Sequence, residues 1–176
     1  MKKQYNPKKH HRRSIRLKDY DYSQEGLYFI TICVQNKVCL FGKIEEGKMI
    51  FNSAGEMIEK EWLKIPERFP NTILHEYVVM PNHFHAIIEI LNDQIEHGEK
   101  LQTIASSMGD IIGAFKSIVT NEYIQGVKKL DWKPFNKRLL QRNYWEHIIR
   151  NTNSFLTISN YIKENPVNWK HDKFHQ

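Results

Sequence analysis

Two cysteines, Cys33 and Cys39, are all the thiols in this chain of 176 residues. Neither has a partner at metal-site spacing, and two thiols make no disulfide framework, so the fold must rest on an apolar core and the thiols are expected to be reduced. No apolar run approaches the ~18 residues of a membrane span. The basic N-terminus leads into Asp19, Tyr20 and Asp21, where a secretory leader would have an apolar segment, so export is not expected. There is no internal repeat and no long low-complexity tract. Acid is missing from residues 1–18, which hold Lys2, Lys3, Lys8, Lys9, Arg12, Arg13, Arg16 and Lys18. The remaining residues carry 18 basic and 20 acidic groups, so the excess of positive charge belongs to an arm and not to the body. Such an arm suits either a phosphate backbone, through counterion release, or a solvated tail.

What is present reads as one α+β domain, large enough to need no covalent staples. Leu27–Gln35 is aromatic and β-branched and is expected to form the first core strand. Val38–Lys43 and Lys48–Phe51 flank Glu45-Glu46-Gly47 as a short hairpin. Asn52 or Ser53 should cap a helix to about Glu67, with Met57, Ile58, Trp62 and Ile65 facing inward. Ile73–Met80 and His83–Leu91 form a second hairpin, turning at Pro81 and Asn82. Asn92–Lys100 reads as a polar loop. A helical stripe then runs from Leu101 to about Ile124, in which Gly109 and Gly113 would allow close approach to the sheet. Gly126–Lys137 is a basic linker, and a strand is expected within Leu139–Ile149. Asn151 or Thr152 caps a last helix to about Asn165, where Pro166 stops it. This order fits a ferredoxin-like sandwich with an antiparallel sheet, helices on one face, and a C-terminal helix free to meet the other face. The expected division is a basic arm over 1–26, one domain over 27–169 and a polar tail over 170–176.

The stretch Tyr77-Val78-Val79-Met80-Pro81-Asn82-His83-Phe84-His85-Ala86-Ile87-Ile88-Glu89-Ile90 carries the strongest chemical signal. Strand side chains alternate, so His83 and His85 share a face while Phe84 points to the other. Two imidazoles side by side suit a divalent cation. On the last helix Tyr161 and Asn165 are four apart and so share a face. If that face meets the histidines, two imidazoles, an amide oxygen and a phenol converge, a set able to hold Mg²⁺ or Mn²⁺ beside a phosphodiester and attack it. His75, His97 and His147 lack a partner at ligand spacing and read as structural or exposed. Glu164 competes with Asn165 as third ligand, and Tyr144 with Tyr161 as nucleophile. Tyr144 and Trp145 should pack on opposite faces of an extended stretch, leaving Tyr144, Trp145, Glu146 and His147 as structural or DNA-contacting residues.

Pro81-Asn82-His83-Phe84-His85 resembles the histidine–hydrophobic–histidine (HUH) motif of single-tyrosine transposases. Gln141-Arg142-Asn143-Tyr144-Trp145-Glu146-His147-Ile148-Ile149-Arg150-Asn151, with Tyr161-Ile162-Lys163-Glu164-Asn165-Pro166, resembles the REP-associated tyrosine transposases, as does Gly109–Ser117. The resemblance spans about Tyr28 to Trp169. It implies a metal-dependent endonuclease and strand transferase acting on single-stranded DNA, often at a hairpin, in the bacterial cytoplasm with the nucleoid. Residue by residue, it implies His83 and His85 as metal ligands and Tyr161 as the nucleophile that joins a 5′-phosphate. Asn165 stands where related insertion-sequence transposases have a glutamine, which shortens a candidate third ligand. Arg12, Arg13, Arg16, Lys116 and Arg142 are candidate DNA contacts. Relatives of this kind include both obligate homodimers and monomers. The alternative from another class is a hairpin-binding protein that keeps the fold without cutting.

Overall fold

The computed structural model describes residues 24–91 and 106–175. Arg12, Arg13 and Arg16, and the loop expected at 92–100, lie outside them. The described chain contains strand β1 (Gly26–Cys33), the hairpin of β2 (Gly42–Glu45) and β3 (Lys48–Phe51), and helices α1 (Ser53–Leu63) and α2 (Ile65–Arg68). There follow β4 (Thr72–Met80), β5 (His83–Ile90), α3 (Met108–Lys129), β6 (Trp145–Ile149) and α4 (Thr152–Glu164). Four strands form an antiparallel sheet in the order β4-β5-β1-β6, and β2 with β3 makes a separate two-stranded ribbon. This is the expected sandwich, with the ribbon inserted between the first strand and the first helix.

Alternation along the strands divides the apolar residues into two layers. Tyr28, Ile30, Ile32, Phe84, Ala86 and Ile88 face α1 and α3, meeting Trp62, Ile111, Phe115 and Val119 in the main core. On the opposite face Ile87 and Ile149 pack with Ile162, Phe155 and Ile158 of α4. The last helix therefore lies on the histidine side of the sheet, opposite α1 and α3. It is tied there by Lys163 Nζ to Glu76 Oε1 at 3.0 Å and by Ser159 Oγ donating to Glu76 Oε2 at 3.3 Å. No helix among the described residues is long and apolar enough to cross a membrane, and both cysteines are free.

Several boundaries move for local reasons. The first helix ends at Leu63 because Pro66 begins a separate turn, α2, whose Arg68 reaches back to Glu61 Oε2 at 2.6 Å. The long helix begins at Met108, later than expected, because Ser107 is extended and forms a capping box with Asp110. It also runs past Ile124 into the start of the segment read as linker, ending at Lys129.

Of the two glycines expected to allow close approach, Gly113 does not, and Gly126 of the same helix does. A Cβ on Gly113 would meet nothing within 4 Å, whereas one on Gly126 would stand 2.1 Å from Trp132 Cε3. Gly126→Ala should therefore lower stability by about 1–3 kcal/mol, while Gly113→Ala should raise it by about 0.4–1 kcal/mol. Thermal midpoints of both variants check this, and a neutral Gly126→Ala would refute the packing argument.

Candidate metal and nucleophile site

His83 and His85 open β5, where the Pro81-Asn82 turn fixes their register opposite Cys33 and Thr31 of β1. Both rings are buried, at 0% and 1% exposure. The orientation of His83 follows from Asn82. The Asn82 amide Nδ2 donates to the carbonyls of Lys37 and Phe174, each at 2.9 Å, so its Oδ1 must face the ring. His83 Nδ1 donates to that oxygen at 2.9 Å, which leaves Nε2 with a lone pair. His85 Nδ1 lies 2.8 Å from Thr31 Oγ1, and its Nε2 faces the Tyr161 hydroxyl at 3.2 Å. Burial holds the His83 pKa down to about 4 and that of His85 well below the ordinary imidazole value. Both rings are thus neutral at pH 7, the form that binds metal.

The third group was not legible in the sequence. After α4 the chain turns at Pro166, passes through a single helical turn at Trp169–His171 and returns to the site. His83, His85 and Asp172 present ligand atoms that all lie within 4.8 Å of one another. Asp172 is held from both sides: Oδ1 accepts from the Phe174 backbone N–H at 2.6 Å and Oδ2 from Asn165 Nδ2 at 3.1 Å. Phe174 closes over His83, with ring centroids 4.6 Å apart. The stretch read as a polar tail is polar in composition only. Its Phe174 is buried, and with Trp169 it anchors Asp172 against the sheet.

Two buried atoms at this point, His83 Nε2 and Asn165 Oδ1, have no hydrogen-bond partner among the described residues. Leaving such groups unpaired costs about 1–3 kcal/mol each. Orphaned donors of this kind, beside a carboxylate and a second neutral imidazole, fit a divalent cation, and the His83, His85 and Asp172 group could bind one. Asn165 stands where its oxygen could join them, though its amide nitrogen already serves Asp172. Glu164 lines the cleft but lies outside the three-residue group.

Tyr161 reaches the same place from α4. Its ring meets Phe29 edge-on at 6.1 Å and His85 at 5.2 Å, while 39% of the residue stays exposed to a cleft of about 430 Å³. Burial and, next, the negative charge of Asp172 raise the phenol's pKa, opposed by a hydrogen bond with Asn165. The rival Tyr144 packs against the main core on the other side of the sheet, which removes it from the site. His75 pairs with Glu89 Oε2 at 2.8 Å. Lys116 Nζ donates to the carbonyls of Gln141 and Arg142 at 2.6 and 2.8 Å, bracing that segment, while Arg142 is exposed.

Asn82 is the positioning residue that sequence reading placed only in a turn. Asn82→Ala should weaken divalent-cation binding by about 10- to 100-fold, the usual effect of losing a ligand's orienting partner. Calorimetric titration with Mn²⁺ measures it, and unchanged affinity in a folded variant would remove Asn82 from this role.

No protein-family model matches the chain. An uncharacterised protein of Haemophilus influenzae is 41% identical over 188 aligned residues, covering 99% of each protein. Among solved structures, a REP-associated tyrosine transposase bound to a REP hairpin superposes with a TM-score of 0.54 at 21% identity, covering 92% of this chain and 77% of that one. A putative transposase from Deinococcus radiodurans gives a TM-score of 0.46 at 13% identity, over 85% and 96% of the two chains. The chain belongs to one family with the Haemophilus influenzae protein, and it has the fold of the REP-associated tyrosine transposase.

Proposed function

We propose that this protein is a metal-dependent endonuclease and strand transferase that nicks single-stranded DNA at a hairpin or palindrome through a covalent 5′-phosphotyrosine on Tyr161. The observation that carries this reading is the placement of the Tyr161 hydroxyl 3.2 Å from His85 Nε2, on the rim of the His83, His85 and Asp172 group. Mg²⁺ or Mn²⁺ held by His83, His85 and Asp172, with Asn165 beside them, would polarise a non-bridging phosphate oxygen. Hairpin DNA is supported as substrate by the fold neighbour, which was solved with a REP hairpin.

The chain's own groups carry the remaining steps. The Tyr161 oxygen attacks phosphorus, forming one P–O bond as the bond to the departing 3′-oxygen breaks. The phenol gives up its proton, and the 3′-oxygen takes one to leave as a hydroxyl. The number of phosphodiester-type bonds is unchanged, so a 3′-hydroxyl can later reverse the exchange and rejoin a strand. His85 Nε2 has one lone pair. With that pair taken by a cation held by His83, His85 and Asp172, the Tyr161 hydroxyl would turn from His85 toward the phosphate. Buried His83 Nε2 and Asn165 Oδ1, with no hydrogen-bond partner among the described residues, fit a cation, and the Tyr161 hydroxyl beside them supports catalysis over the binding-only alternative.

The test is incubation of the purified protein with 5′- and 3′-labelled hairpin DNA and Mn²⁺, followed by denaturing electrophoresis. A protease-sensitive adduct carrying the strand 3′ of the nick is expected. Cleavage with no adduct would replace this reading with hydrolysis by water.

A further inference from the structure

We infer that Trp145, at the start of edge strand β6, is a stacking platform for an unpaired DNA base beside the nicked phosphate. This rests on the phosphodiester reading above and adds where the single strand lies. Trp145 pairs in register with Thr31 of β1, and Thr31 pairs with His85 of β5. Directly opposed residues in an antiparallel sheet share a face, so Trp145, Thr31 and His85 form one row on the side of the sheet that carries Tyr161. Two strand spacings separate Trp145 from His85, about 10 Å. That is close enough for one nucleotide to reach from the site to the indole.

The next residue on this face, His147, pairs with Phe29, whose ring stacks on His85 at 5.3 Å. Among the described residues β6 has its partner strand on one side only, and Trp145 is 58% exposed. The intervening Glu146 and Ile148 point to the other face, where Ile148 packs on the main core. Edge strand β6 therefore turns Trp145, His147 and Ile149 toward the tyrosine side, where Ile149 is covered by α4 and the two rings lie exposed.

Charge identifies the occupant. Residues 128–142 hold Lys128, Lys129, Lys133, Lys137, Arg138 and Arg142 against Asp131 alone, a net charge of +5, whereas the other described residues together carry −3. This tract runs into Trp145 and is fixed beside the site's end of the sheet. Gln35 N–H donates to the Leu139 carbonyl and Gln141 N–H to that of Cys33, both at 2.8 Å, and Lys116 holds the carbonyls of Gln141 and Arg142. Cys33 in turn pairs with His83. A cationic segment whose end is held beside the site and which runs into an exposed indole matches a single strand, whose phosphates are drawn by the charge and whose bases stack. A protein partner would call for a contiguous apolar patch, and the residues directly beside Trp145 on this face, Thr31 and His147, are polar.

The experiment is fluorescence anisotropy in EDTA, so that no cleavage occurs, using a blunt hairpin and the same hairpin with a four-nucleotide single-stranded extension. Trp145→Ala and Trp145→Thr, the latter keeping strand propensity, should both bind the extended hairpin about 5- to 100-fold more weakly, as loss of one base–aromatic stack predicts. Affinity for the blunt hairpin should stay within about twofold of wild type. Placing a single abasic residue in the extension should reproduce the loss in wild type at one position and add nothing further in Trp145→Ala, the non-additivity expected of contacting partners. Equal affinities of wild type and both variants for the extended hairpin would overturn the platform while leaving the nuclease reading intact. Losses that add at every position would also overturn it, as an indirect effect on β6. Failure of the wild type to bind either hairpin would overturn both readings together.

Discussion

Tyr161→Phe should abolish the covalent protein–DNA adduct while leaving hairpin affinity within about twofold of wild type. The phenol oxygen is the only atom removed. It bonds His85 at 3.2 Å and also interacts with Asn165, from a residue that is 39% exposed. Loss of such a bond costs about 0.5–1.5 kcal/mol, far too little to unfold α4, which is anchored by Ile162, Phe155 and the Glu76 contacts. Loss of adduct would therefore report chemistry and not structure. Tyr144→Phe is the matched control, because Tyr144 lies on the core side of the sheet, and it should form adduct at the wild-type level. Wild-type adduct levels in Tyr161→Phe would overturn the nucleophile assignment. Continued cleavage without adduct in both wild type and variant would point to water.

The part of this site that alternation and helical spacing determine was legible in the sequence. His83 and His85 had to share a face once β5 was a strand, and Tyr161 and Asn165 had to share one once α4 was a helix. The turn that separates β4 from β5 was equally visible, because Pro81 and Asn82 interrupt two apolar runs. What escaped depends on the chain returning after a break. Asp172 lies seven residues beyond Asn165 with no periodic relation to it, and only Pro166 and the turn at Trp169–His171 bring it back. The signal available was a pair of aromatics, Trp169 and Phe174, in an otherwise polar stretch, since such residues in a tail need somewhere to be buried. The orienting role of Asn82 was hidden because both carbonyls it holds, Lys37 and Phe174, are remote in sequence. The close approach at Gly126 was missed for a different reason: Trp132, which covers it, lies past the end of the helix and outside its periodicity.

If Asp172 is the charged ligand, Asp172→Asn should weaken Mn²⁺ binding by at least about 10- to 100-fold, as much as the loss of an orienting group elsewhere, and Glu164→Gln should leave it unchanged. The readout need not involve DNA. A cation at 100 times its dissociation constant stabilises the folded state by about 2.7 kcal/mol, which for a domain of this size raises the thermal midpoint by roughly 5–10 °C. That rise should be present in wild type and Glu164→Gln and largely lost in Asp172→Asn. The carboxylate's two hydrogen bonds, from Phe174 N–H and Asn165 Nδ2, can be kept in part by an asparagine, so the metal-free variant should fold. Its charge has a second consequence. Asp172 helps hold the Tyr161 phenol protonated, so removing the carboxylate should lower the phenol's pKa in the metal-free protein, observable by ultraviolet titration of tyrosinate against a Tyr161→Phe blank. The same carboxylate that opposes ionisation of the nucleophile when bare would stop opposing it once neutralised as a ligand, which would couple activation of Tyr161 to occupation of the site. Metal-dependent stabilisation that survives in Asp172→Asn and disappears in Glu164→Gln would transfer both roles to Glu164.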